Sequence, residues 1–390
     1  MNKHDLTRNY WMLNGSFAKQ GYDWWWHSFT GVSEKTGKER AFFIEYFTCN
    51  PALAKQNGGE KNGENPILGQ DPANKAKGLK PSYLMVKCGW WGQNACQLHR
   101  FIPWKDVTIT NKKIDKKNGK GGFQLKALDC SASDNILVGK VEISGAENHP
   151  EWMCDNGSME WNLSIEKDVA FNVGYGASKL FRDLKAFEMY WHAEGMKSRF
   201  EGTITANGEK FIVKKENSFG YSDKNWGRNF TSPWVWLSSN DLISKKTGKK
   251  LENSVFDIGG GRPKAFGIAM NRKLLSDYFY EGKSYEFNFS KFWTFCRTKF
   301  DCKETDQKII WDVRQETTKA IMETHMECEK SQMLLVNYES PDGAKRHNRL
   351  WNGGTGYGNV KLYKKSRGKA QLIDEVEVRH AGCEWGEYDK

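Results

Sequence analysis

The stretch "SRFEGTITANGEKFIVKK", residues 198–215, constrains the fold more than any other part of the chain. Apolar and polar residues alternate on both sides of Asn207-Gly208, a pair that two-residue hairpin turns favour because both positions need positive φ. Phe200 and Ile204 on one arm then face Phe211 and Val213 on the other. The same alternation returns in "ILVGKVEIS", "SYEFNFSKFWTFC", "QKIIWDVRQ", "MLLVNYES", "GNVKLYKK" and "IDEVEVRHA". Helical periodicity is nearly absent; "SKLFRDLKAFEMYW" offers at most a turn or two. With 22 Phe, 17 Trp, 14 Tyr and 38 Gly in 390 residues, the composition suits pleated strands and tight turns. The expected class is all-β with few short helices.

A second regularity concerns the whole chain. "WWWHSFTGVSEKTGKERAFFIEYF" begins at Trp24 and "WVWLSSNDLISKKTGKKLENSVFDIG" begins at Trp234. Each opens on Trp-x-Trp, places a Ser two residues after the second Trp, turns through Lys-Thr-Gly-Lys and resumes as an apolar strand. An offset of about 210 residues, half the chain, predicts a duplicated β unit. The boundary is set after the clear hairpin, giving domains 1–215 and 216–390. Residues 52–80, polar and rich in Gly and Asn, read as a long loop or lid.

Net charge is +11, yet the lysines gather in turn-like segments such as "TNKKIDKKNGKGG" and "SKKTGKK", as on solvated loops and edges. No nucleic-acid partner is expected, and transient contact with a membrane surface stays open. The nine cysteines lack CxxC spacing and a His partner at zinc-ligand distance, so reduced thiols and no metal are expected. No apolar run has the length of a signal peptide or membrane span, which predicts a soluble, cytoplasmic chain. No HExxH, nucleophile triad or phosphate-loop pattern occurs, and no cofactor is expected. "DIGGGRP" reads as a strand with close backbone approach, and "NGGTGYGNVKLY" as a Gly-rich turn into a strand.

The segment "YSDKNWGRNFTSPWVW" concentrates the residues able to do chemistry. Ser222 to Asn225 followed by Trp226-Gly227 has the composition of a bend. The bend explains the polar groups but not Trp226, Trp234 and Trp236; polar residues beside indoles describe the rim of an apolar pocket. Asp223 next to Lys224 would feel burial raising its pKa and the ammonium lowering it. Glu45, inside "FFIEYF", shares a face with Phe43 and Phe47 and points either to solvent or into a cavity. His192 is either a hydrogen-bonded structural group or a proton carrier.

Taken in order, Gly21 to Trp26, Asn50-Pro51, Trp191, Gly208-Glu209, Tyr221 to Gly227, Trp234, Trp236, Gly259 to Gly261, Gly356 to Gly358 and the strand before Gly382 resemble the tocopherol cyclase family. That family shares a distant two-domain lipocalin-like architecture with carotenoid hydratases. The resemblance implies two lipocalin-like (calycin-type) antiparallel β-barrel or sandwich domains with an apolar ligand site inside or between them. It also implies acid chemistry: a proton reaches a prenyl double bond, and a phenol oxygen or water captures the tertiary cation. The ligand would be a hydrophobic isoprenoid or prenylated aromatic, whose cation indole faces would steady. Asp223 is the expected proton donor, with Lys224 and Asn225 orienting it, and Glu45 and His192 are further candidates. The expected walls are Trp24, Trp26, Trp191, Tyr221, Trp226, Trp234 and Trp236. Plant members, as aligned, lack a carboxylate at Glu45 and a His at His192, so neither inherits a role. A non-catalytic carrier would place Asp223, Glu45 and His192 all in solvent, and a carbohydrate binder would expose its indoles along a groove.

Overall fold

The computed structural model describes residues 9–55, 63–113, 122–171, 187–262, 264–265, 268–269, 271–337, 339–344 and 350–387. The first twelve strands are β1 (Tyr22–Ser33), β2 (Glu39–Cys49), β3 (Tyr83–Trp90), β4 (Cys96–Ile102), β5 (Val107–Lys112), β6 (Gly122–Ala127), β7 (Cys130–Ser133), β8 (Ile136–Ile143), β9 (Gly157–Phe171), β10 (Met189–Ala206), β11 (Glu209–Val213) and β12 (Gly220–Gly227). They form one sheet in the order β4-β3-β2-β1-β11-β10-β9-β8-β7-β6-β5. Where β11 stops, β12 takes its place between β1 and β10. Asn207 and Gly208 join β10 to β11 with φ of 46° and 80°, the positive values a two-residue turn requires.

The remaining strands are β13 (Trp234–Ser239), β14 (Asp241–Ser244), β15 (Val255–Gly261), β16 (Lys264–Ala265), β17 (Ile268–Ala269), β18 (Lys273–Tyr280), β19 (Lys283–Asn288), β20 (Arg297–Glu304), β21 (Lys308–Glu316), β22 (Ala320–Glu329), β23 (Leu334–Val336), β24 (Leu350–Ser366) and β25 (Lys369–Gly386). Their main sheet runs β19-β18-β15-β13-β25-β24-β22-β21-β20, with β14 on β25 and β23 on β24. All pairings among the described residues are antiparallel, and the described α-helices are short: α1 (Ser16–Lys19) and α2 (Pro72–Ala76). The expected all-β architecture of two barrel-like sheets is the one the chain adopts. The chain leaves the first sheet at Gly227 and enters the second at Trp234, so β12, which follows Lys215, belongs to the first.

Each sheet curls around its own filled core. Trp25, Phe42, Tyr46, Leu84 and Trp161 pack inside the first, where the curl brings Arg100 Nη1 within 2.9 Å of the Lys140 carbonyl oxygen across from β4 to β8. Val235, Leu237, Phe256, Trp311 and Met326 pack inside the second. A third core lies between the sheets, made from their facing outer surfaces: Trp26, Phe43, Phe47, Trp191, Trp234 and Trp236. Period-two alternation produces this division. Trp25 points into the first barrel while Trp24 and Trp26 face the second sheet; Val235 and Leu237 point into the second barrel while Trp234 and Trp236 face the first.

One reading changes. "NGGTGYGNVKLY" is strand throughout, the middle of β24; a Cβ at Gly354 would lie 2.3 Å from the Trp91 ring, so the glycine admits an indole from the other sheet. The loop between β2 and β3 carries α2, and its described part straps the halves together: Gly69 N donates to Glu339 Oε1 at 2.8 Å, and Gln70 Nε2 to the Gly343 carbonyl. The middle of that loop, and most of "SKLFRDLKAFEMYW", lie outside the described residues.

Candidate functional site

Register places the chemistry on one face. Across β12, β1, β2, β3 and β4 the Cα partners run Asp223, Trp26, Glu45, Lys87, His99, and directly opposed residues in antiparallel strands share a face. The second sheet answers with Gly259, Trp236, Glu384 and Asn352 across β15, β13, β25 and β24. The Ser222 to Asn225 run expected as a bend is therefore strand, buried on both sides. Asp223 and Asn225 face the second sheet; Ser222, Lys224 and Trp226 face the other way.

Between the sheets lies a cavity of about 30 Å3 lined by Trp24, Trp26, Glu45, Lys87, Met189, Asp223, Phe230, Trp234, Trp236, Val336, Leu350 and Glu384. That is room for a water or two, against roughly 300–1,000 Å3 for a small-molecule site. Trp24 and Met189, both half-buried, border the cavity.

Asp223 is held by its neighbours. Its Oδ2 accepts from Trp191 Nε1 at 2.9 Å and lies 3.3 Å from the Tyr221 hydroxyl. Tyr221 also reaches Asp257 Oδ2 at 3.2 Å, and Trp236 Nε1 donates to Asp257 Oδ1 at 3.0 Å. One phenol hydrogen thus serves two carboxyl groups, an arrangement free of repulsion when one of them keeps its proton and donates to the phenol oxygen. Burial pushes Asp223 well above the usual carboxylate range; hydrogen bonds from Trp191 and Trp24 oppose the rise, and the Glu384 charge adds to it. Burial, then the Asp223 charge, raise Asp257 in the same way. Asp223 Oδ1 is buried and makes no hydrogen bond among the described residues, as is true of Trp26 Nε1 and Glu45 Oε1.

The opposite wall carries Glu384. Trp234 Nε1 donates to its Oε2 at 2.6 Å, Asn352 Nδ2 donates to its Oε1, and Trp91 Nε1 in turn donates to Asn352 Oδ1 at 2.7 Å. Burial raises its pKa to about 7, against those donors and Lys87. Lys87 pairs with Glu45 at 3.5 Å, both out of water. Burial raises Glu45 and lowers Lys87, each opposed by the other's charge.

Other expected site residues lie elsewhere. Lys224 does not orient Asp223: it turns into the first barrel, pairs with Asp23 and sits 4.0 Å from the Trp25 ring centroid. Trp226 stacks on Tyr190 and packs with Leu13 and Phe17, away from the cavity. His192 is opposite Lys224, on the barrel side of β10, fully buried. Asn225 shares the cavity face, but its Oδ1 accepts from Tyr22 at 2.9 Å and it steadies that ring rather than Asp223. Lys87, Asp257 and Glu384 were not singled out in the sequence. The available signal was that of Glu45, an ionisable residue within apolar strand: "YLMVKCGW", "SVFDIG", "GCEWG".

The sequence profile of the tocopherol cyclase-like family matches residues 130–387, more than half of the chain and inclusive of Asp223, Asp257 and Glu384. The chain belongs to this family. Curated relatives include the chloroplastic tocopherol cyclase of Zea mays, 33% identical over 101 residues, and the probable chloroplastic tocopherol cyclase of Oryza sativa subsp. japonica, 35% identical over 101 residues. Each match covers 26% of this chain and 20% of the relative's length. Among solved structures, an AttH-type protein of Nitrosomonas europaea aligns over 98% of both chains with a TM-score of 0.45 and 12% identity. Kievitone hydratase from Nectria haematococca aligns over 96% of this chain and 91% of its own, with a TM-score of 0.41 and 11% identity. At those scores the likeness bears on neither site nor chemistry.

Proposed function

We propose that this tocopherol cyclase-like protein is a cofactor-independent acid catalyst, a cyclase or hydratase acting on the prenyl double bond of a hydrophobic isoprenoid or prenylated aromatic. One observation carries the reading: a buried carboxyl group, Asp223, with one oxygen unengaged, faces a small chamber walled by indoles at the junction of the two sheets. Burial favours the protonated acid, the form that donates. Asp223 delivers its proton to the less substituted alkene carbon, the π pair forms the new C–H bond, and a tertiary cation remains. The indole faces of Trp26, Trp234 and Trp236 and the Glu384 carboxylate steady that charge. A phenol oxygen of the same molecule, or water, then forms the C–O bond and passes its proton to the Glu384 carboxylate; exchange with solvent returns a proton to Asp223 and takes one from Glu384. Cyclisation conserves the substrate's atoms; hydration adds one water.

Asp223 and Glu45 both line the cavity, which favours catalysis over simple carriage, and the burial of these indoles disfavours a sugar platform. We read the two sheets as the two units of a repeated scaffold, with the site between them.

The test is Asp223→Asn, which keeps shape and removes the donor. Turnover of a prenylated hydroquinone should fall by roughly 10²–10⁴-fold, while binding followed by tryptophan fluorescence stays within about threefold. Undiminished turnover removes Asp223 from the mechanism. Infrared spectra should also lose a protonated-carboxyl band in the variant.

A further inference from the structure

Three cavities follow one another along β1. The Asp223 cavity shares Trp236 with a second small cavity of about 20 Å3 that is also lined by Trp91, Tyr221, Ser238 and Gly382. This second cavity shares Thr30, Ala41, Trp91 and His380 with a surface groove of about 560 Å3. Trp91 joins the two ends: it lines the groove and its ring centroid is 6.1 Å from that of Trp26 in the cavity. Asp223 is opposite Trp26, and Ala41, which lines the groove, is opposite Thr30, four residues further along β1 on the same face; Arg40, next to Ala41 on the barrel side of β2, also lines the groove. At about 3.3 Å per residue the separation is on the order of 13 Å, a span of a few isoprene units.

The groove end is cationic in a particular way. Its carboxylates are engaged: Glu39 Oε2 with His380 Nε2 at 3.1 Å, and Glu209 Oε1 with Ser33 Oγ at 2.6 Å. Arg379 is engaged with Glu377 at 2.7 Å. Lys38 and Arg40 have no carboxylate within ion-pair distance among the described residues, and Arg40 lies over the Phe211 ring at 5.5 Å. A guanidinium fixed against an aromatic face, with its fork unused, suits a carboxylate or phosphate oxygen pair.

We propose that this groove is the head-group subsite for the ligand whose prenyl end reaches Asp223, and that the ligand is an isoprenoid with an anionic head, a carboxylate or phosphate ester, held by Lys38 and Arg40. The proposal rests on reading the Asp223 cavity as a prenyl site. It adds a ruler: a head fixed at the groove decides which double bond along the chain arrives at the acid, so specificity is set by length.

Three probes separate the possibilities: farnesol, farnesoic acid and farnesyl monophosphate, titrated by tryptophan fluorescence into the wild-type protein and the Lys38→Gln/Arg40→Gln double variant. At least one anionic probe should bind about tenfold more tightly than the alcohol, and the tighter of the two identifies the head group. The preference should vanish in the double variant while farnesol affinity holds. Equal affinity of all three probes in the wild type overturns the subsite and leaves the prenyl cavity standing. A preference that survives the double substitution overturns the assignment to Lys38 and Arg40. Failure of every probe to bind overturns the prenyl reading itself and this inference with it.

Discussion

Glu45 and Lys87 meet at 3.5 Å with about 1–2% of either side chain exposed, so neither charge is tolerable without the other. Desolvation costs several kcal/mol per ion, and the partner returns much of it. Lys87→Met should destabilise by about 3–5 kcal/mol in urea unfolding by leaving Glu45 buried and uncompensated. Glu45→Gln combined with Lys87→Met removes both charges and should recover most of that loss. A double variant no more stable than the single would mean that the pair is not coupled. Glu45 stood out in the sequence because Phe flanks it on its own face, yet the choice between solvent and cavity needed the second sheet. Lys87 passed unnoticed because a lone lysine in a strand reads equally well as a solvated edge.

Among the elements, β12 and β15 decide where the acid sits. In β12, both faces are buried, one in a polar part of the first barrel and one at the junction, so polar residues occur on both and the usual apolar alternation is hidden. That is why Ser-Asp-Lys-Asn reads as a bend in the sequence. In β15, Gly259 leaves space that Trp191 fills: a Cβ there would lie 2.7 Å from the indole. "DIGGGRP" was legible as close backbone approach, but the approaching group lies 68 residues upstream, at Trp191. Gly259→Ala should therefore overpack the junction at a cost of about 1–3 kcal/mol and strain the Trp191–Asp223 hydrogen bond. Thermal unfolding should show the loss, and Trp191→Phe in the same chain should relieve part of it by making room. An unchanged melting temperature in Gly259→Ala would show that the sheets yield at that point without cost.

For the whole molecule, the hairpins were legible because each is specified by neighbours in sequence. The two Lys-Thr-Gly-Lys turns even close alike: Ser33 N donates to the Lys38 carbonyl and Thr36 N to Ser33 Oγ, while Ser244 N donates to the Lys249 carbonyl and Thr247 N to Ser244 Oγ. Docking of the sheets was not legible, since it depends on indoles meeting glycines and charges meeting across distant strands. His380 is such a meeting point: its Nδ1 is 2.7 Å from Asp241 Oδ2 on the second sheet and its Nε2 is 3.1 Å from Glu39 Oε2 on the first. Phe219 stacks on the ring at 4.1 Å, Arg379 adjoins it, and Lys250 reaches Asp241 at 3.6 Å. Burial alone would lower the His380 pKa, but the two carboxylates outweigh it and hold it above the ordinary 6.5. Burial would raise Asp241, and His380, joined by the Lys250 and Arg379 charges, more than reverses that, keeping it below 3.8. A raised His pKa stabilises fully below the unfolded value and is lost as pH climbs through the folded one; a depressed Asp pKa stabilises above its unfolded value. The clamp is therefore strongest between about pH 4 and 6.5 and weakens on the alkaline side. His380 has a φ of 46°, which Asn tolerates, so His380→Asn removes the charge without straining the backbone. From pH 6.5 to 9 the wild type should lose about 1 kcal/mol, on the order of a degree or two in Tm, that the variant never had. Superimposable pH profiles for the two proteins would mean that the sheets stay docked without this histidine.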